Sequence, residues 1–171
     1  MTARKQRRLD RVAKKVIEYG ADVIDSPEHQ RCNQYIQHGE TTIRDHTISV
    51  ACMCVKLAPA FRIRSNDYSD LVRAALLHDY FLYDWHTKDA DRKGLHGFTH
   101  ASTAVACAAA DFAVTPQMAQ MMKTHMWPLN PAPPRSRAAV VLTLADKICS
   151  ANEAFRKPFY YAIFAEIEGR A

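Results

Sequence analysis

The sequence predicts an all-α protein folded as a single compact helical domain, and three observations carry that expectation. Apolar residues recur at three- and four-residue intervals along most of the 171 positions, the spacing of one buried helix face. Only 5 glycines are present, few for an all-β chain that must turn every ten residues or so. Ser26-Pro27 and Thr115-Pro116 each place an N-cap residue before a proline suited to the first helical position. A hydrophobic fraction of 48% can bury a substantial core without disulfide or metal staples. Disordered, collagen-like and disulfide-scaffold classes are excluded.

Taken in order, Leu9, Val12, Ala13, Val16 and Ile17 form the inner face of a first helix, a basic one over about residues 4–19, with Gly20 as its stop. The second helix starts at Ser26-Pro27 and is expected to end at Gly39. A third runs from about Thr42 to Leu57, burying Ile43, Thr47, Val50, Ala51, Cys54 and Val55. Asn66 or Asp67 caps a fourth, whose segment Leu71-Val72 and Ala74 to Leu77 is apolar almost all round and therefore central. Residues 83–97 are polar and read as a loop. A fifth helix starts near Phe98, and a sixth at Thr115-Pro116 aligns Met118, Met121 and Met122. Residues 127–135 hold four prolines, which forbid regular helix. The seventh helix spans about Arg137 to Glu153, with Val141, Leu142, Ala145, Ile148 and Cys149 inward, and a short last helix follows Pro158. No strand, repeat or domain boundary is expected.

Charge is unevenly placed. Residues 1–15 carry seven basic side chains against Asp10, while the remaining 156 residues hold 16 basic and 17 acidic ones. The basicity belongs to one helix and reads as its solvated outer face, not as a nucleic-acid surface. The five cysteines (Cys32, Cys52, Cys54, Cys107, Cys149) form no CxxC pair and are expected to be buried, reduced thiols. The basic opening runs into an amphipathic helix rather than an apolar stretch, so no signal peptide is expected. The longest apolar run, Phe159 to Ala165, is far short of the roughly 20 residues a membrane span needs. A soluble cytoplasmic protein without a membrane partner is the expectation, and a homo-oligomer is compatible with it.

Function is expected where a buried face carries a residue that burial should reject. His46 lies three residues after Ile43 and four before Val50. His78-Asp79 closes the most apolar helix. His100 opens the fifth helix, His125 completes the set Met118, Met121, Met122, His125, and Asp146 follows Leu142 by four. Burying an uncompensated carboxylate costs several kcal/mol, so Asp79 and Asp146 need partners. Basic neighbours are too few to pair both, whereas metal ions take histidine nitrogen and carboxylate oxygen together.

The ordered set His46, His78-Asp79, His100, His125, Asp146 resembles the HD-domain superfamily of metal-dependent phosphohydrolases, in the subset with two extra histidines. The resemblance covers residues 42–150, and the wording LLHDYFLYDWH, HMWP and LADK is similar to a group of small bacterial HD proteins. It implies a two-metal site in an all-helical domain. His46, His78, Asp79 and Asp146 would hold one ion and His100 and His125 the other, with Asp79 bridging. Nitrogen-rich ligation suits iron or manganese, and also zinc, better than magnesium or calcium. The implied reaction is hydrolysis of a phosphoester, from a nucleotide or similar small phosphorylated molecule, by metal-bound hydroxide. Asp79, Asp84 and Lys147 are its catalytic candidates, with Asp84 either a general base or a loop cap. Arg44, Tyr83, His86, Lys123 and Lys147 lie close in sequence to the ligands and are the candidate substrate contacts. The same ligand set resembles the HD-type mixed-valent di-iron oxygenases that cleave C–C or C–P bonds. Leu82 stands where the inositol oxygenase type has lysine, which favours hydrolysis.

Overall fold

The structure, a computed structural model, describes residues 3–85 and 96–155. Along them the chain forms α1 (Ala3–Ile24), α2 (Pro27–Gln30), a 3₁₀ turn (Arg31–Gln34), β1 (Ile36–His38), β2 (Thr41–Thr42) and α3 (Ile43–Leu57). A second 3₁₀ turn (Ser65–Asp67) leads into α4 (Tyr68–Leu77), followed by α5 (His96–Asp111), α6 (Pro116–Thr124) and α7 (Arg137–Glu153). The helix expected after Pro158, the run Phe159 to Ala165 and most of the loop 83–97 lie outside the described residues. No described helix is long and apolar enough to cross a membrane.

Helix α4 is the axis of the packing. Leu71, Val72, Ala74, Ala75, Leu76 and Leu77 are all buried, and α1, α3, α5, α6 and α7 pack against it. Asp67 stands at the N-cap of α4 without a side-chain cap bond, whereas Ser26 and Thr115, as the sequence predicts, and also Thr42 and Ser136 accept from the amides of His29, Met118, Asp45 and Ala139. Each such cap contributes about 1 kcal/mol. The cysteines are free thiols, four of them buried, and burial raises the pKa of each away from reactive thiolate.

Three expectations are corrected. The second helix does not reach Gly39; α2 is one turn, and the chain then closes a β1–β2 hairpin. Gly39, at φ +56, begins its two-residue turn, where the hairpin geometry needs a positive φ. A Cβ there would also lie 3.2 Å from the carbonyl oxygen of Glu153. Short α2 still has a packing role, because it inserts His29 between Thr47 of α3 and the Leu76 carbonyl of α4, each 3.2 Å away. Burial, helped by nearby Arg44, drives the His29 pKa down to about 3, so this core imidazole is neutral. On α7 the correction concerns Ile148, which faces solvent at 39% exposure while Val141, Leu142, Ala145 and Cys149 are buried as expected, and on α1 it concerns Gly20.

Gly20 does not stop α1, which continues one turn further to Ile24. A Cβ on Gly20 would collide with the side chain of Leu76 and crowd Val72, so the glycine marks the closest approach of α1 to α4. At the end of α3, the amides of Arg62 and Ile63 bond to the carbonyls of Pro59 and Ala58. This is the Schellman pattern, and it places Arg62 at φ +51, a position normally given to glycine.

Gly20→Ala is expected to destabilise the fold by about 1–3 kcal/mol, because overpacking against fully buried Leu76 outweighs the roughly 1 kcal/mol gain in helix propensity. Denaturant unfolding checks it; a stabilised variant would mean that α1 and α4 are not in this contact.

Candidate metal centre

Five helices deliver one side chain or pair each to a common point. His46 comes from the first turn of α3, His78-Asp79 from the C-terminal end of α4, His100 from α5, His125 from the end of α6 and Asp146 from the middle of α7. All six are buried, none more than 6% exposed. The two ends of the Asp79 carboxylate face different partners. Oδ2 lies 3.6 Å from His46 Nε2 and 3.3 Å from His78 Nε2, and Asp146 Oδ1 closes this side at 3.3 and 3.7 Å from the same two nitrogens. Oδ1 lies 3.4 Å from His100 Nε2 and 3.6 Å from His125 Nε2, which are themselves 3.1 Å apart. Two sets capable of holding a metal ion, His46-His78-Asp79 and Asp79-His100-His125, therefore share one carboxylate.

The outer nitrogens show why the inner ones point inward. His46 Nδ1 lies 2.7 Å from Glu153 Oε2, His78 Nδ1 donates to the Ala75 carbonyl at 2.8 Å, and His125 Nδ1 donates to the Met122 carbonyl at 2.6 Å. Anchoring one ring nitrogen as a donor leaves the other as a lone-pair ligand, the usual outer support of a metal-binding histidine. The inner atoms His46 Nε2, His78 Nε2 and Asp79 Oδ1 are buried with no hydrogen-bond partner. Orphaned polar atoms of this kind demand an explanation. A divalent cation fits them, and 3.1 Å between His100 and His125 nitrogens is the spacing of neighbouring ligands about 2.1 Å from one ion.

Electrostatics shows a cluster that favours positive charge. Burial opposes the charge on Asp79, but the imidazoles of His78 and His100 hold its carboxyl well below the usual range; His46 and His78 do the same for Asp146. Burial alone would lower His46, yet Asp146 and Glu153 carry it up to about 9, and Asp79 and Asp146 lift His78 well above its usual value. His125, lowered to about 4 chiefly by burial, stays neutral.

A cavity of about 430 Å³ opens onto the cluster, lined by Gln37, His38, Trp85, Gly97, Met126, Lys147 and Ser150 beside Asp79, His100, His125 and Asp146. Of the candidate contacts among the described residues, only Lys147 is on its wall, with Nζ donating to the His125 carbonyl at 3.3 Å. Arg44 is buried on α3, where its charge acts on His29 and Cys32, and it is not among the described residues lining the cavity. Lys123 and Asp84 are exposed, and neither is among the described residues lining the cavity. Tyr83 packs its ring on Phe81 at 4.8 Å, and His86 lies outside the described residues. Just before them, Leu82 sits at φ +51, a costly conformation for a branched side chain and one often found beside functional sites.

Sequence reasoning missed Gln37, His38, Ser150 and Glu153. Ser150 Oγ donates to Asp146 at 3.1 Å, and Gln37 Nε2 donates to Asp79 Oδ2. Ser150 and Glu153 lie four and seven residues after Asp146, the same helix face, so helical spacing could have found both. Gln37 sits where the hairpin register slips between Ile36 and His38, a bulge that nothing in the local sequence announces.

The family model of the HD domain matches residues 43–151, from the start of α3 to the end of α7. The chain belongs to the HD domain family, whose members are generally metal-dependent hydrolases of the phosphohydrolase superfamily. No curated protein and no solved structure gives a significant match to it.

The raised pKa values set a pH test. In the chelated protein His46, raised from 6.5 to about 9, contributes stability that is complete below pH 6.5 and is lost as the pH rises through 9. Cation binding has the opposite slope, because protons compete for the same nitrogens. The gap in melting temperature between manganese-loaded and chelated protein should widen steadily from pH 6 to pH 9. A gap that is flat or narrows over that window would contradict the assignment of these nitrogens as ligands.

Proposed function

We propose that the chain is a two-metal phosphohydrolase acting on a phosphoester of a small molecule. The observation that carries this reading is the shared carboxylate: Asp79 presents one oxygen to His46 and His78 and the other to His100 and His125. His46, His78, Asp79 and Asp146 would hold one ion, and His100 and His125 with Asp79 the second. Iron or manganese suits these nitrogen-rich sets best, with zinc also compatible. Such a pair lowers the pKa of water and offsets charge developing at phosphorus.

The chain's own residues supply the rest. Lys147, on the cavity wall one residue after Asp146, adds a positive charge that draws the phosphate toward the cluster. The wall of Trp85, Met126 and Gly97 is largely apolar, so it takes the organic part of the ester and keeps bulk water from it. Glu153, Ser150 and Gln37 fix the rings and carboxylates in orientation, which limits reorganisation as charge develops. Asp79 acts by bridging, and Asp84, exposed and off the cavity wall, is given no part in this reading.

Two outcomes follow. His100→Ala is expected to lower metal content from two to one per chain and activity by roughly 100-fold with little loss of stability. Asp79→Asn removes both ions together, and elemental analysis of the purified variants checks both. Turnover separates hydrolase from oxygenase. Manganese-loaded protein, kept anaerobic and given a panel of nucleoside monophosphates, cyclic nucleotides and simple phosphoesters, should release phosphate or monophosphate above a His46→Ala blank. Silence across the panel with substrate-dependent oxygen uptake by the iron form would establish the oxygenase reading instead.

A further inference from the structure

Away from the metal centre, a second cavity of about 520 Å³ opens where the turn after α3 meets the first turns of α6 and α7. Arg62 and Arg64 line it from the turn, Arg137 from α7, and Gln117 and Ser136 supply polar groups. Asp67 is the one carboxylate in its lining, and it pairs with Arg64 at 3.4 Å. Arg62 and Arg137 have no carboxylate partner among the described residues, so the lining keeps two uncompensated positive charges.

Arg62 is the informative residue. Its Schellman position at φ +51 is one that glycine fills without strain, and its exposed side chain adds nothing to the core. A residue that breaks a local backbone rule without a packing gain points to a role for its side chain. Here that side chain lines a cavity with two further guanidinium groups. Guanidinium groups favour paired hydrogen bonds to phosphate oxygens, and three around one cleft match a phosphate group carrying two or more negative charges.

We propose that this cavity binds a small phosphorylated anion at a site separate from the metal centre. The volume exceeds what a bare phosphate fills and leaves room for a second phosphate or an organic substituent. None of its lining residues belongs to the cavity at Asp79. The two are joined by α7, which carries Arg137 at one end and Asp146 nine residues, or about 13 Å, further along. The proposal does not depend on which reaction the metal centre performs.

Calorimetric titration of the full chain with inorganic pyrophosphate and with ADP tests it. Wild type should show a site that persists in Asp79→Asn and weakens at least tenfold in the pair Arg62→Gly, Arg137→Gln. Arg62→Gly alone should weaken binding at least threefold while its melting temperature stays level or rises, a combination that a structural role for the arginine would not produce. Arg11→Gln, a matched loss of charge on the outer face of α1, should change affinity less than twofold. Tighter binding of ADP than of pyrophosphate would identify a nucleotide as the occupant, and the reverse a free polyphosphate. The proposal is overturned if the double variant binds like wild type, if the site vanishes in Asp79→Asn, or if Arg11→Gln weakens binding as much as Arg62→Gly.

Discussion

The Asp79 carboxylate is the constraint on which the rest of the structure depends. It is buried at the end of α4, the axis of the packing, with four imidazoles arranged in pairs about its two oxygens. A carboxylate in such a place costs several kcal/mol unless positive charge surrounds it on every side. Four of the five helices that meet there bring an imidazole and the fifth brings Asp146, so the packing of the domain and the assembly of the site are one arrangement. His78 and His125 both occupy C-cap positions, where the chain turns away and leaves their rings directed at the common point.

Around this point lies a second layer whose work is orientation. The Ala75 and Met122 carbonyls and the Glu153 carboxylate hold the outer nitrogens, and each comes from the same helix as its ring or from the end of α7. The hairpin β1–β2 closes the remaining side. Its bulge aims Gln37 at Asp79, and its turn glycine lies against the last turn of α7, so the hairpin and Glu153 fix each other's place. A cation entering the cluster would meet ligands already set, which reduces the ordering cost of binding.

Much of this is legible in the sequence because it rests on local rules. The 3.6-residue period locates α3 and α7, and Thr115-Pro116 the start of α6, almost to the residue, and polar residues on apolar faces single out His46, His78, Asp79, His100, His125 and Asp146. What escapes is set by contacts distant in the chain. Gly20 looks like a helix stop until Leu76 is seen beside it. Gly39 of the hairpin turn lies against Glu153, more than a hundred residues on, a contact that no local pattern shows. Arg44 sits near ligands in sequence, yet a helix turns adjacent residues about 100° apart, and it is not among the described residues lining the cavity.

The central claim is that Asp79 is shared by two cations. Anomalous diffraction from crystals of the manganese-loaded protein tests it directly. The account predicts two peaks, one beside each Asp79 oxygen, the first among His46, His78 and Asp146 and the second between His100 and His125. A single peak, or two peaks that do not share Asp79, would contradict it.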